Sequence, residues 1–570
     1  MSKIKKIISN KRKLGFIISS LLILCGVIPL IILTFYPDPQ HPYSIKEISL
    51  NSEDETMIKA LVYKPLKGGN DDIGIVVAHG FCGNKQYMEP LSIELAKRGF
   101  YVVAIDFRGH GSSDGYLPAL RRSEKNNPLD YDMLVAVDYL KDKGVKKIGL
   151  VGHSMGGSTS LRVAEANPEK IDAVVSIGMI STEYNFSRIH NLLMAIGQFE
   201  QIFSRENAIE FLKEYTGKDD VEIGKLYGDF SNGDATKVII GPTSDHLAEV
   251  LDPVIVYEAV QWFEQAFNGK KANDVVLTIV PHQIFYLIGL CGIVSMCFLI
   301  IFLISEKLYG RDKKRPVNEN FEEKSPAKLF IIYISGALLG SILFLYPLSI
   351  LLMAVLPLSM GHILYAQIIS IALGLLIIYY LTIIRKNKEK KIIDIPLEVK
   401  IFFPSNIYRS FFYGIISALL FTIALSSLMH WSTNASFLTA REIGAVFGIV
   451  LLFFPFLLMK EFFLRSIQEK LRFSNRFKEY FSMVGTSILL DNVLIVILMI
   501  LCWQNVNFNI GFIALSLTVV VIFSIIQHFL LTWVYMHSNR DIIASTSFLC
   551  IFYGWMIVNF FPFGINSGFF

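Results

Sequence analysis

"KKIGLVGHSMGGSTSLRVAEANP" (residues 146–168) changes character at its centre, and that change decides the fold. Its first part, "KIGLVGHS" (147–154), is a short apolar run of the kind a strand buried on both faces needs. Its second part, "GGSTSLRVAEA" (156–166), reads as a helix. Gly152, Ser154 and Gly156 stand at the junction. A Gly-x-Ser-x-Gly by itself is common, but after a strand and before a helix it reads as a nucleophile elbow. The glycines remove side chains where strand and helix crowd the turn, so the Ser154 hydroxyl projects from the C-terminal edge of a sheet.

Working outward, the same kind of run recurs as "IGIVVAHG" (73–80), "YVVAIDF" (101–107), "IDAVVSIG" (171–178), "NLLMAIG" (191–197) and "TKVIIGP" (236–242). Helical patterns lie between most of them, which predicts a mostly parallel, doubly covered sheet and an α/β fold. "SIKEISLNSEDETMIKALVYKP" (44–65) reads as an antiparallel hairpin at its edge.

A serine hydroxyl needs a histidine to take its proton, and the histidine needs a carboxylate to fix its tautomer and stabilise its cation. Both should follow the serine, acid first, on loops after later strands. His246, in "VIIGPTSDHLAE" (238–249), comes just after the last predicted strand, and Glu200 lies three residues past Gly197 at the end of the strand before it. Asp245, Asp252 and Asp229 are rivals for the acid. Asp245 adjoins the histidine and should point elsewhere, Asp252 reads as the N-cap of a final helix, and Asp229 follows no predicted strand, so Glu200 is favoured. The backbone donors for an oxyanion are expected at Met155, which opens the elbow helix, and at Phe81 in "HGFCGNK" (79–85). His79 reads as a brace for that loop, not as a catalyst.

On "HGFCGNK", "AIDFRGHGSSDG" (104–115) and "GLVGHSMGG" (149–157), in this order and spacing, the chain resembles the α/β-hydrolase superfamily, in particular its serine aminopeptidase-like and monoglyceride-lipase-like branch. The resemblance implies a triad of Ser154, Glu200 and His246 acting through an acyl-enzyme, and a structural role for Asp106 and Arg108. Relatives often carry a helical cap before the acid strand. Here only "MISTEYNFSRIH" (179–190) stands in that place, which predicts a pocket that is open or roofed by another part of the chain.

The rest of the sequence belongs to a different solvent. The chain has 570 residues, 53% of them hydrophobic, above what soluble domains carry, and a net charge of +4. That charge argues against a nucleic-acid partner, because the basic residues cluster beside apolar runs. "LGFIISSLLILCGVIPLIILTFY" (14–36), after the basic "KIKKIISNKRK" (3–13), reads as a retained membrane anchor. Eight further apolar segments are expected at about 282–304, 329–356, 363–384, 409–430, 441–460, 481–503, 510–536 and 542–561, with Pro347 and Pro357 as possible breaks in the second. Of the six cysteines only Cys82 lies outside the apolar segments, so no disulfide framework is expected.

Lys and Arg set the orientation. They crowd "SEKLYGRDKKRPVNENFEEKSPAK" (305–328), "RKNKEKKIIDIPLEVK" (385–400), "LRSIQEKLRFSNRFKEY" (464–480) and "MHSNRD" (536–541), and they are missing from "LPLSMGH" (356–362), "HWSTNAS" (430–436) and "WQNVNFN" (503–509). By the positive-inside rule the N-terminus is cytoplasmic and the hydrophilic block lies outside. The expected domains are 1–40, a basic tail and anchor; 41–275, an extracytoplasmic hydrolase; and 276–570, about eight transmembrane helices.

Within that last region Asp491 falls near the middle of its span, where a charge costs at least a few kcal/mol. Gln527 and His528 come to similar depth on the next span and are its expected partners. "KEFFLRSIQ" (460–468) is similar in its Glu-x-x-x-Arg spacing to a helix of the intramembrane CAAX-protease-like family. Lys460 replaces the second Glu of that pattern and no later histidine motif follows, so Glu461 and Arg465 read as an i to i+4 ion pair at a cytoplasmic helix end.

The sequence therefore points to a serine hydrolase, needing no metal or organic cofactor, whose substrates are small-molecule or lipid esters, or peptides, and whose surroundings are membrane lipid. The rival from another class is a transporter or lipid-handling protein with a ligand-binding, non-catalytic hydrolase-like domain.

Overall fold

The computed structural model describes residues 2–35, 42–66, 72–118, 127–271, 275–310, 326–359, 361–381, 406–429, 437–469, 473, 475–503 and 510–564. The loops 385–400, 430–436 and 504–509, and much of 305–328, on which the expected orientation rests, lie outside the described residues.

The hairpin comes first along the chain, β1 (Tyr43–Asn51) against β2 (Met57–Pro65), in antiparallel register from Tyr43 opposite Pro65 to Asn51 opposite Met57. The apolar runs become β3 (Ile73–Ala78), β4 (Tyr101–Ile105), β5 (Lys147–His153), β6 (Ala173–Ile177), β7 (Leu192–Gly197) and β8 (Thr236–Gly241). They assemble into one eight-stranded sheet of order β1-β2-β4-β3-β5-β6-β7-β8, parallel from β4 onward. The expected α/β fold and its edge hairpin are both present.

The pleat sorts side chains onto two covered faces. Val76, Val103 and Leu150 pack under α3 (Pro128–Asp142) and α4 (Met155–Ala166), with Met133 and Leu161. Ile75, Val77, Val102 and Val151 pack under α2 (Glu89–Ala96) and α6 (Pro253–Asn268), with Leu91 and Phe263. Between β7 and β8 the chain inserts α5 (Arg205–Thr216), capped by a reciprocal Ser204–Asn207 pair. No helical cap stands between β6 and β7; a single 3-10 turn at Phe186–Arg188 takes its place.

The other long helices are α1 (Ser2–Phe35), α7 (Ile279–Tyr309), α8 (Pro326–Val355), α9 (Gly361–Tyr379), α10 (Ile407–Met429), α11 (Ala440–Gln468), α12 (Arg476–Trp503), α13 (Ile510–His537) and α14 (Ile542–Phe560). Among the described residues seven helices are long and apolar enough to cross a membrane: α1, α7, α8, α9, α10, α11 and α14. Pro347 sits inside α8 without breaking it, whereas Pro357 follows its end.

Helices α1 and α7 flank the α/β domain in sequence and pack antiparallel. Arg12 pairs with Glu306 at 2.7 Å at one end of the pair. Gly26 meets Gly289 so closely that a Cβ on Gly26 would lie 2.3 Å from the Gly289 nitrogen, the small-residue contact that lets apolar helices touch. The α/β domain therefore lies at the end of the pair opposite the basic N-terminal segment. Glu94 on α2 accepts the Thr278 N–H at 2.6 Å and its hydroxyl at 2.7 Å just before α7 begins.

Candidate active site

Strand β5 delivers Ser154 into a sharp turn. Its φ of 51° and ψ of −108° are strained for a side-chain-bearing residue, and its N–H is held by the Ile177 carbonyl at 2.7 Å. Glycine is required on both sides: a Cβ on Gly152 would sit 2.2 Å from the carbonyl of Gly156, and one on Gly156 would sit 2.4 Å from the Ala78 oxygen. Met155 follows as the first residue of α4, so its N–H has no partner within the helix.

The loop after β8 brings His246 to the serine. Asp252 organises it: Oδ2 accepts the Thr243 N–H and the hydroxyls of Thr243 and Ser244, while Oδ1 caps α6 at Val254. His246 Nε2 lies 3.0 Å from Ser154 Oγ, and Nδ1 lies 2.7 Å from Glu200 Oε2. These partners set the tautomer: Nδ1–H donates to the carboxylate and Nε2 accepts from the hydroxyl. Glu200 turns toward the histidine because its Oε1 accepts the Ile202 N–H at 2.7 Å.

Burial by itself would raise the Glu200 carboxyl, but hydrogen bonds from His246 and Glu249 outweigh it and hold it at about 2. The acid is ionised at any neutral pH. Its rivals are engaged elsewhere: Asp252 caps α6 as the sequence suggested, Asp245 accepts from Gln201 at 3.3 Å, and Asp229 caps an exposed turn through Ser231.

Phe81 lies on the loop after β3, next to Gly80, where a Cβ would come within 3.2 Å of the Ser154 Cβ. His79 behaves as a brace: Nδ1 donates to the Gly80 carbonyl and Nε2 accepts the Phe107 N–H at 3.0 Å, and burial holds its pKa down at about 4. Asp106 accepts from Lys85 and from the Ser112 backbone, and Arg108 spans Asp54 and Asp132, all contacts within the scaffold. A cavity of about 230 Å³ adjoins the acid loop, lined by Ile180, Ser181, Glu183, Ile202, Phe203 and Glu210 among others. The Phe203 ring lies 6.5 Å from that of His246.

The sequence of this domain has known relatives. The family model described as the alpha/beta hydrolase fold matches residues 75–208. The hydrolase domain belongs to the α/β-hydrolase superfamily. It is similar to a carboxylesterase of Bacillus subtilis, 24% identical over 39% of this chain and 92% of that protein. A thermostable monoacylglycerol lipase of a Bacillus species is 28% identical over 21% of this chain and 47% of that protein. A solved esterase of Pyrococcus furiosus is 18% identical, covers 39% of this chain and 93% of its own, and gives a TM-score of 0.29.

Two residues of the candidate site escaped the sequence reading. Glu249, fully buried, stands beside Glu200, lies 3.9 Å from His246 Nδ1 and accepts the Gly197 N–H at 2.7 Å. His153, the residue before the serine, hydrogen-bonds through Nε2 to the His246 carbonyl at 2.8 Å, and burial together with the charge of His246 holds its pKa down at about 3. His153, His246 and Glu249 have ligand atoms within 4.8 Å of one another, a set with the chemistry to take a metal ion. Both His246 nitrogens are, however, engaged by Ser154 and Glu200.

In the helical region the expectations need two corrections. Asp491 does meet His528 Nε2, at 2.8 Å, but its other partner is Lys460 Nζ at 2.7 Å, not Gln527, which is buried without bonding to it. Lys460 reaches across from α11, and spacing along the neighbouring span alone could not reveal it. Glu461 and Arg465 do pair at 3.0 Å, but in the interior, with Arg465 fully buried and extended by Gln468 to Ser487. A network crossing to a second helix replaces the simple helix-end pair.

Proposed function

We propose that the chain is a membrane-embedded serine hydrolase that cleaves carboxylic esters or lipids through an acyl-enzyme on Ser154. The observation that carries this reading is the unbroken hydrogen-bond chain from Ser154 through His246 to Glu200 at the tip of a strained elbow. His246 takes the hydroxyl proton as Oγ attacks the ester carbonyl, and Glu200 stabilises the imidazolium so formed. The backbone N–H groups of Phe81 and Met155 receive the oxyanion, a contribution of about 3 kcal/mol when one such donor is removed in comparable sites. Collapse of the tetrahedral intermediate passes the proton from His246 to the departing alkoxide. Water, deprotonated by the same histidine, then releases the acid and restores Ser154. The names of the similar carboxylesterase and monoacylglycerol lipase support ester substrates for this site.

The seven apolar helices support a membrane location. In this reading the N-terminus is cytoplasmic, the chain crosses about nine times, and the hydrolase domain works outside the cytoplasm, at the end of α1 and α7 away from Arg12 and Glu306. A second reading, a lipid-handling or transport protein with a non-catalytic hydrolase domain, draws on the buried Lys460–Asp491–His528 cluster. The two separate on labelling of the detergent-purified protein with a fluorophosphonate probe. Hydrolysis requires labelling that Ser154→Ala abolishes and His246→Ala greatly slows; no labelling of the wild type leaves only the second reading.

A further inference from the structure

Glu249 is a carboxyl group in an unusual position. It sits in the turn just before α6, fully buried, with Oε1 held by the Gly197 N–H and Oε2 sealed from solvent with no hydrogen-bond partner among the groups that can donate to it. Its neighbours fall short: His153 Nε2 is 3.3 Å from Oε2, but its hydrogen is directed to the His246 carbonyl at 2.8 Å. The charged group nearest in kind is Glu200, whose own Oε2 shares His246 Nδ1 with it at 2.7 Å against 3.9 Å. Room for the pair is made by Gly178, at φ +62°, where a Cβ would fall 2.2 Å from Glu249 Oε2.

Two carboxylates enclosed around one imidazole nitrogen cannot both be ionised, since like charges at this range in an apolar site repel by more than burial allows. One must hold a proton, and the geometry decides which. Glu200 has the histidine N–H and the Ile202 N–H to satisfy its charge; Glu249 has one backbone N–H.

We propose that Glu249 is a positioning residue for the catalytic acid: it is carried as the neutral carboxyl and donates its hydrogen bond to Glu200, fixing Glu200 on His246. The site then reads Ser154, His246, Glu200, Glu249, with one negative charge on the two acids together. This deepens the serine-hydrolase reading and rests on it. Its electrostatics agree: burial and then the Glu200 carboxylate push Glu249 well above the usual carboxylate range, while Glu200 is held low. The other titratable groups facing Glu249 are His246, His153, Asp245 and the buried Tyr87. Of these, His153 is held neutral by burial.

Donation from Glu249 lowers the basicity of Glu200, so its removal strengthens the pull of Glu200 on the histidine proton and displaces the acidic limb of the pH profile upward. The test compares Glu249→Gln and Glu249→Leu in the full-length, detergent-purified protein, by kcat, KM and the pH dependence of kcat/KM on a chromogenic short-chain ester. Gln keeps a donor for Glu200 and an acceptor for Gly197, and is expected to stay within threefold of wild type with an unmoved pH profile. Leu keeps neither, and is expected to lose tenfold or more in kcat at nearly constant KM, with the acidic limb displaced to higher pH.

A Gln variant as impaired as Leu means that Glu249 works as an anion and overturns the proposal. So does a Leu variant with an unmoved profile, which would make the residue merely structural. A third measurement is independent of turnover: the infrared difference between wild type and Glu249→Gln at neutral pH should contain the carbonyl stretch of a protonated carboxylic acid, and its absence overturns the proposal. If the wild type fails to react with the fluorophosphonate, the hydrolase reading falls, and the infrared band still decides the protonation of Glu249.

Discussion

His246 Nδ1 lies 2.7 Å from Glu200 Oε2, a contact between loops that follow two adjacent parallel strands, β7 and β8. The contact fixes the tautomer that leaves Nε2 free to accept from Ser154. Glu200→Gln keeps the size of the side chain and removes the charge, and its amide can donate where an acceptor is needed. It is expected to lower kcat by on the order of 10³ to 10⁴, as loss of the orienting acid does in triads, with a far smaller effect on KM. Steady-state kinetics on a short-chain ester would check it; a loss below tenfold would remove Glu200 from the acid role.

That contact was legible in the sequence because strand order and chain order coincide here. Each of the six parallel strands announced itself as a short apolar run, and the elbow glycines, Glu200 and His246 each stand next to a strand end. Glu249 was not legible, for it follows no strand, and the proximity of His246 to Gly197 that gives it a role exists only once β7 and β8 are paired. Lys460 was hidden for a related reason. A lysine beside Glu461 and four residues before Leu464 looks like the polar edge of a helix, and only the packing of α11 on α12 and α13 turns it toward Asp491. In α11 and α14, apolar on nearly every side, no periodic stripe marks the face that carries the partner.

The C-terminal segment and α11 grip one loop of the hydrolase domain. Phe563 donates its N–H to the Gly109 carbonyl and accepts the Leu117 N–H, each at 2.7 Å. Arg441 donates to the Gly115 carbonyl at 3.0 Å, with its guanidinium 3.8 Å above the Phe563 ring. Removing the guanidinium in Arg441→Ala deletes a charge-assisted hydrogen bond and a cation–π contact, together worth about 1–3 kcal/mol. Faster limited proteolysis within residues 107–118 is expected, with Ser154 still reactive to a fluorophosphonate. An unchanged cleavage rate would show that the loop holds itself.

Glu89 is buried at the start of α2, and that burial raises its carboxyl from 4.5 to about 8. The folded state therefore binds this proton more tightly than the unfolded chain. The resulting stability is fully present below pH 4.5 and is lost as the pH rises from there to about 8, by on the order of 5 kcal/mol across the window. Glu89→Gln supplies a neutral group of the same shape and should flatten that decline. Thermal midpoints at pH 6 and pH 9 are expected to differ less in the variant than in the wild type, and equal differences would mean that Glu89 ionises freely in the fold.

Lys460, Asp491 and His528 join α11, α12 and α13 through two contacts on one carboxylate oxygen, at 2.7 and 2.8 Å. The ammonium is almost wholly enclosed, so its charge is tolerable only while Asp491 is present. Asp491→Ala leaves it buried and unpaired, a loss typically about 3–5 kcal/mol for a buried pair broken on one side. Lys460→Met combined with Asp491→Leu removes both charges and refills the space, and such replacements are often neutral. The expected order of thermal midpoints in detergent is therefore wild type and double variant close together, with Asp491→Ala well below both. An Asp491→Ala protein as stable as wild type would mean that water or lipid already reaches the lysine, which would turn the cluster from a fixed tie between helices into an open polar path. Stability restored in the double variant without loss of fluorophosphonate labelling would show that the tie serves the helices and not the distant serine.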